Sequence, residues 1–186
     1  MQTVSQKLAL LRQRMARRGL DACVVVTDDF HGSEYVGEHF KTRAYLSGFT
    51  GSAGTLLVLA EEAYLWTDGR YFLQAERQLT GSGIELMRAG QPGVPTLSSF
   101  LAEKLPEGGA LGFDGRTVST KLYRTLEKAL AGRRVRMDGG FDPAEDVWTD
   151  RPPLSAAPVW ALESGVTRRE KLALLRAFIP KINNWA

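Results

Sequence analysis

Thr55-Leu-Leu-Val-Leu-Ala60, Glu61-Glu62 and Ala63-Tyr-Leu-Trp-Thr67 form the stretch on which the fold turns. Two short apolar runs carrying β-branched and aromatic residues, divided by a pair of acids, read as the strands of an antiparallel hairpin. Glu-Glu is a poor primed-turn pair, so the register stays open. Toward the N-terminus, Ala22-Cys-Val-Val-Val-Thr27 bounded by Asp28-Asp29 has the pattern of a buried strand. Before it, Val4, Leu8, Leu11 and Met15 recur at helical spacing, with Thr3 and Gln6 as a capping box and Gly19 as the stop. Residues 28 to 42 are polar, hold both histidines, and read as an irregular segment leading into Arg43-Ala-Tyr-Leu-Ser47.

Toward the C-terminus the same alternation continues. Asp68 is placed to cap a helix over Tyr71 to Leu79, and Gly81 to Gly83 break the chain before a strand at Ile84 to Arg88. Pro95 suits the first position of a helix over Thr96 to Leu105, ended by Pro106. A strand at Ala110 to Asp114 precedes an amphipathic helix that Ser119 caps, with Leu122, Tyr123, Leu126, Ala129 and Leu130 on one side and Gly132 as the stop. Arg134 to Met137 adds a last strand. The class is α/β.

From Asp138 onward, Gly139-Gly140, Pro143, Pro152, Pro153 and Pro158 give the texture of a connector rather than a core. The expected organisation is a domain over residues 1–150 and a linker over 151–166. A helix then opens at the capping box Thr167-Arg-Arg-Glu170 and carries Leu172, Leu175, Phe178 and Ile179 until Pro180 interrupts it. Residues 167–186 are expected to be the truncated start of a second domain; the alternative is a terminal helix packed back on the first.

With 186 residues, 44% of them hydrophobic and 24% charged, the chain has globular composition and room for one domain with a fragment of another. No apolar run approaches the roughly 18 residues of a membrane span, and no secretory h-region opens the chain. Cys23 has no internal partner and reads as a buried thiol. Residues 1–20 hold five basic and no acidic side chains, which fits either a presequence or the solvated face of a structural helix; the apolar periodicity favours the helix. The two basic ends account for more than the whole net charge of +3, so the body between them is acidic and unsuited to phosphate tracking. Neither nucleic acid nor membrane is an expected partner.

Chemistry-bearing patterns are sparse. His31 and His39, eight apart, match no metal-ligand spacing, and Asp28-Asp29 alone lacks the oxygen array of a cation site and reads as a turn. Gly48-Phe-Thr-Gly-Ser-Ala-Gly54 resembles a phosphate loop but leads into a strand, so tight turning and close backbone packing explain it. The serines near the histidines lack a nucleophile motif, leaving no catalytic set.

One resemblance is specific. Thr42-Arg-Ala-Tyr-Leu-Ser-Gly-Phe-Thr-Gly-Ser-Ala-Gly-Thr55 and Leu65-Trp-Thr-Asp-Gly-Arg-Tyr-Phe-Leu-Gln-Ala-Glu-Arg77 resemble the N-terminal creatinase-like domain of Xaa-Pro aminopeptidases (aminopeptidase P). Ser33-Glu-Tyr35 and Val147-Trp-Thr-Asp-Arg-Pro-Pro153 resemble the three-domain branch of that family. The resemblance implies an α/β domain with a mixed β-sheet flanked by helices, the creatinase/prolidase N-terminal domain with its ribonuclease H-like motif. It further implies a cytoplasmic, dimeric metallopeptidase, a hydrolase acting on peptides with a penultimate proline. Its two divalent metals, manganese as a rule, sit in a downstream domain.

This chain offers none of those ligand motifs, so no catalytic residue, metal site or cofactor is expected in it, and alone it is expected to be inactive. Its implied role is dimerisation and enclosure of the active site, with His31, Glu34, Tyr35 and Arg43 on the substrate-pocket wall. The alternative is a stand-alone peptide- or small-amine-binding module with the same fold. Trp66, Asp68, Arg70 and Tyr71 read as architecture: core filling, a helix cap, and an arginine tying a buried carboxylate or carbonyls.

Overall fold

The computed structural model describes residues 2–32, 35–161 and 165–182. The chain divides into two compact units, Met1–Leu154 and Ser155–Ala186.

Helix α1, Val4–Arg18, opens on a reciprocal cap in which Gln6 N–H donates to Thr3 Oγ1 at 3.2 Å and Thr3 N–H donates to Gln6 Oε1 at 2.8 Å. Gly19 closes it in the left-handed region at φ 64°, a conformation that costs an L side chain about 1 kcal/mol or more. Strand β1 is Ala22–Val26, and a 3-10 turn at Glu38–Phe40 leads into the short helix α2, Thr42–Ser47. Strands β2, Thr55–Leu59, and β3, Ala63–Thr67, form the expected hairpin, with Thr55 opposite Trp66 and Val58 opposite Ala63. Helix α3 is Phe72–Leu79; Asp68 caps the 3-10 turn Gly69–Tyr71 that precedes it rather than α3 itself.

Strand β4, Glu85–Arg88, is followed by α4, Leu97–Lys104. Thr96 caps α4, so Pro95 stands before the cap and not at the first helical position, and its carbonyl accepts the Trp66 indole N–H at 2.9 Å. Strand β5, Ala110–Phe113, helix α5, Thr120–Leu130, and strand β6, Arg136–Asp138, complete the unit.

The sheet is mixed, in the order β4-β3-β2-β1-β5-β6. β1 is antiparallel to β2 and parallel to β5, and β3 is parallel to β4. Alternate strand residues serve opposite layers. Cys23, Val25, Leu56, Val58 and Leu65 pack with α1, α2 and α3, while Val24, Leu57, Tyr64 and Trp66 pack with α4 and α5. Coverage on both faces is why β1 reads as an unbroken apolar run. Each leucine driven fully inside, such as Leu11 or Leu65, contributes about 2 kcal/mol.

The connector texture after Asp138 conceals core residues. Phe141, Ala144 and Val147 are buried, Phe141 and Val147 in the layer of α1, and the Trp148 ring stacks on Tyr45 at 4.4 Å. Glycine and proline there shape turns without exposing what lies between them. In the second unit, the Thr167–Glu170 box forms as expected, and helix α6, Arg168–Ile182, runs through Pro180 instead of breaking there. A proline removes one backbone bond, which kinks a helix more readily than it ends one. Leu172, Leu174, Leu175, Phe178 and Ile179 are exposed along α6.

Candidate functional site

The C-terminal ends of β1 and β3 lie at one end of the sheet, where the chain of β1 departs into the polar segment 28–41. Open α/β sheets present ligands at such an end. A cleft of about 430 Å³ opens there between that segment, α2 and the turn before β2; its walls include Thr27, Tyr35, Glu38, Lys41, Arg43 and Gly51.

Arg43 is the frame of the cleft. It is 3% exposed, and its Nε donates to Thr27 Oγ1 at 2.7 Å. Nη1 donates to the carbonyl of Phe49 and Nη2 to that of Gly51, while the guanidinium lies 4.8 Å from the centre of the Phe49 ring. Burial pushes its pKa down to about 10. Among the described residues no carboxylate forms an ion pair with it.

The glycine-rich turn is held against this frame. A Cβ on Gly51 would stand 2.3 Å from Phe49 Cζ, and one on Gly54 3.3 Å from the Trp66 carbonyl oxygen, so close backbone packing explains both. Thr50 N–H donates to Gln78 Oε1 at 2.9 Å, both Gln74 and Gln78 donate to Thr50 Oγ1, and Ser52 Oγ meets the Tyr71 hydroxyl at 2.6 Å.

Of the four residues expected on a pocket wall, Tyr35 and Arg43 both line the cleft, Tyr35 as a residue 86% exposed. His31 is not among the residues lining it; its ring lies against Phe30 at 4.1 Å and its Nδ1 3.3 Å from Asp29. Glu34 falls outside the described residues. Asp29 serves the turn: its carboxylate accepts the N–H groups of His31 at 2.8 Å and Gly37 at 3.0 Å. Burial raises its pKa, but those two donors and the His31 ring outweigh it and hold the carboxyl below its ordinary value.

Arg70 ties the carboxylate of Asp68 at 2.8 Å, at an exposed position rather than a buried one, while Arg43 ties the buried carbonyls of Phe49 and Gly51. Sequence reasoning missed Thr27, Glu38, Lys41 and Thr50 as wall residues. The available signal was the glycine spacing, which marks a turn fixed tightly enough to form a wall.

Behind the cleft an ionic clasp holds residues 142–152. Asp142 Oδ2 accepts from Arg116 and from Arg151, each at 2.6 Å, and its Oδ1 accepts the Ala144 N–H at 2.9 Å. Arg151 Nε also donates to the His39 carbonyl at 2.7 Å, while His39 Nδ1 lies 2.8 Å from the Pro152 carbonyl. Glu38 and Phe40, the cleft-wall neighbours of His39, are thereby tied to the end of the first unit.

A family model described as the creatinase/prolidase N-terminal domain matches residues 7–139. The chain belongs to that family. This creatinase-type domain is 40% identical over 181 residues to aminopeptidase P2 of Arabidopsis thaliana, covering 93% of this chain and 25% of that protein. X-prolyl aminopeptidase from Caenorhabditis elegans, a cytosolic enzyme with a di-nuclear active site, is similar at 32% identity with a TM-score of 0.80. The match covers 98% of this chain and 32% of the nematode chain. The N-terminal domain of the cytoplasmic peptidase PepQ from Mycobacterium tuberculosis H37Rv superposes with a TM-score of 0.54 at 30% identity, over 76% of this chain and 97% of its own.

The creatinase-type chain therefore spans about a quarter to a third of the length of the curated relatives it matches. Among its described residues no three His, Cys, Asp or Glu side chains gather where they could hold a metal ion. Among the described residues, too, no helix is long and apolar enough to cross a membrane.

Proposed function

We propose that this creatinase-type domain serves an Xaa-Pro aminopeptidase-like metallopeptidase, contributing no catalytic group and acting by contact. Its roles are dimerisation and enclosure of an active site whose two divalent metals, manganese as the working assignment, are held by other parts of the protein. The substrate would be a peptide with a penultimate proline, and the compartment the cytoplasm. In this plan residues 1–150 are the domain, 151–166 the linker, and 167–186 the opening of the next domain.

The observation that supports the reading most is the cleft: an open wall of exposed Tyr35 and fixed backbone, braced from within by the buried Arg43 through three hydrogen bonds. A rigid wall of this kind can exclude bulk water and restrict access without joining the chemistry. His31, Glu34, Tyr35 and Arg43 are the residues assigned to that wall. The test is Tyr35→Ala in a protein carrying both this domain and a metal-binding hydrolase domain. A several-fold rise in KM for an Xaa-Pro peptide, with metal content unchanged, supports enclosure; unchanged kinetics refute it. Manganese-dependent cleavage of an Xaa-Pro peptide by residues 1–186 alone would refute the non-catalytic reading.

A cleft present within this chain also favours a second reading, a stand-alone module that binds a peptide or small amine. Titration of the isolated chain with a short peptide separates the two, since a module should bind without any hydrolase domain.

A further inference from the structure

Arg43 carries a full positive charge into the protein interior, and what surrounds it is neutral. A guanidinium has five N–H donors. Thr27 Oγ1 and the carbonyls of Phe49 and Gly51 take three of them, and the Phe49 ring covers one face. Buried charges in proteins are ordinarily paired, because desolvating one without a counter-charge is expensive. The other cation on the cleft, Lys41, already has its carboxylate in Glu38, whereas among the described residues none pairs with Arg43.

Geometry places the unpaired charge where a ligand can reach its field. Thr27, Arg43 and Gly51 all line the cleft, and the guanidinium is hydrogen-bonded to both the first and the last, which leaves two of its five N–H donors without one of the acceptors on Thr27, Phe49 and Gly51. The polar hydroxyls of Thr50 and Ser52 stand on the same wall as Gly51. An anion seated there would meet low-dielectric surroundings that strengthen its attraction to Arg43.

We propose that the cleft is a carboxylate subsite, in which Arg43 supplies the counter-charge for a carboxylate group of a short peptide. This deepens the reading of the cleft as a peptide-facing wall and rests on it. Planar carboxylate matches the donor spacing of guanidinium better than a point charge would.

The experiment titrates the 186-residue chain with Gly-Pro-Gly and separately with its C-terminal amide, by calorimetry and by amide shifts of Thr50, Gly51 and Ser52. The expected result is about tenfold tighter binding of the acid, the worth of one charge-assisted contact, with the shifts confined to those amides. Preference for the acid should persist in Lys41→Met, which removes the other cation on the cleft wall and leaves Arg43 in place. Equal affinity for acid and amide overturns the carboxylate subsite while leaving the enclosure reading standing, since enclosure is judged by KM in Tyr35→Ala. Loss of the preference in Lys41→Met overturns it as well, by assigning the charge to Lys41, and so does the absence of any saturable binding.

Discussion

Gly51 shows how much one missing atom can decide. A Cβ there would stand 2.3 Å from Phe49 Cζ and 2.9 Å from Tyr71 Cδ1, well inside contact distance. Gly51→Ala is expected to lower stability by about 1–3 kcal/mol, whereas Gly132→Ala, with nothing within 4 Å, should stay within about 0.5 kcal/mol of wild type; urea unfolding of both variants checks the contrast. Cys23 is fully buried, and burial pushes its thiol pKa far up, so almost no thiolate exists near neutrality. Native protein is expected to resist iodoacetamide at pH 7.5 and to react only after unfolding, which mass spectrometry reads directly. The buried thiol was legible from its apolar run. Gly51 was legible as a close-packed turn, but the ring it faces, Tyr71, lies 20 residues away and only folding brings it there.

Among the elements, the clasp around Asp142 carries the clearest pH signature. Burial raises the Asp142 pKa, but the Arg151 hydrogen bond, the Ala144 N–H and the charges of Arg151 and Arg116 outweigh it and leave the carboxyl below its ordinary value. The hydrogen bond from Arg18 does the same for Asp138. A carboxyl whose folded pKa is depressed contributes stability that is fully present above its unfolded value of about 3.9 and lost as pH falls through the folded value. Asp142→Asn is therefore expected to cost about 2 kcal/mol at pH 7, discounted for the partial exposure of the site, and to cost progressively less toward pH 2. Urea titrations at the two pH values measure the difference, and an equal loss at both would assign the effect to shape. Hardly any of this clasp was readable beforehand: Asp142 and Arg151 lie in a stretch whose prolines and glycines suggest a connector, and Arg116 stands 26 residues before Asp142, with α5 and β6 between them. The helix caps at Thr3, Ser119 and Thr167 were readable because donor and acceptor sit within three residues of each other.

For the molecule as a whole, two compact units imply two separable behaviours. A chain ending at Leu154 is expected to melt within about 2 °C of the full chain, less than the shift that 1 kcal/mol makes in a domain of this size; differential scanning calorimetry decides. The apolar side of α6, with Leu175 and Phe178 exposed, should drive association of the full chain, and Leu175→Gln with Phe178→Gln should return light scattering to the monomer mass. The amino acids alone determined the order of helices and strands apart from the short α2, the hairpin, the buried thiol and the family, because periodicity, caps and motifs act over a few neighbouring residues. Tertiary structure alone decided which arginine is buried and which stays on the surface, that Phe141 and Val147 belong to the core, and where the cleft opens. Those outcomes depend on carbonyls, rings and carboxylates that are distant in sequence, and only the packing of the sheet against its two helical layers sets the distances between them.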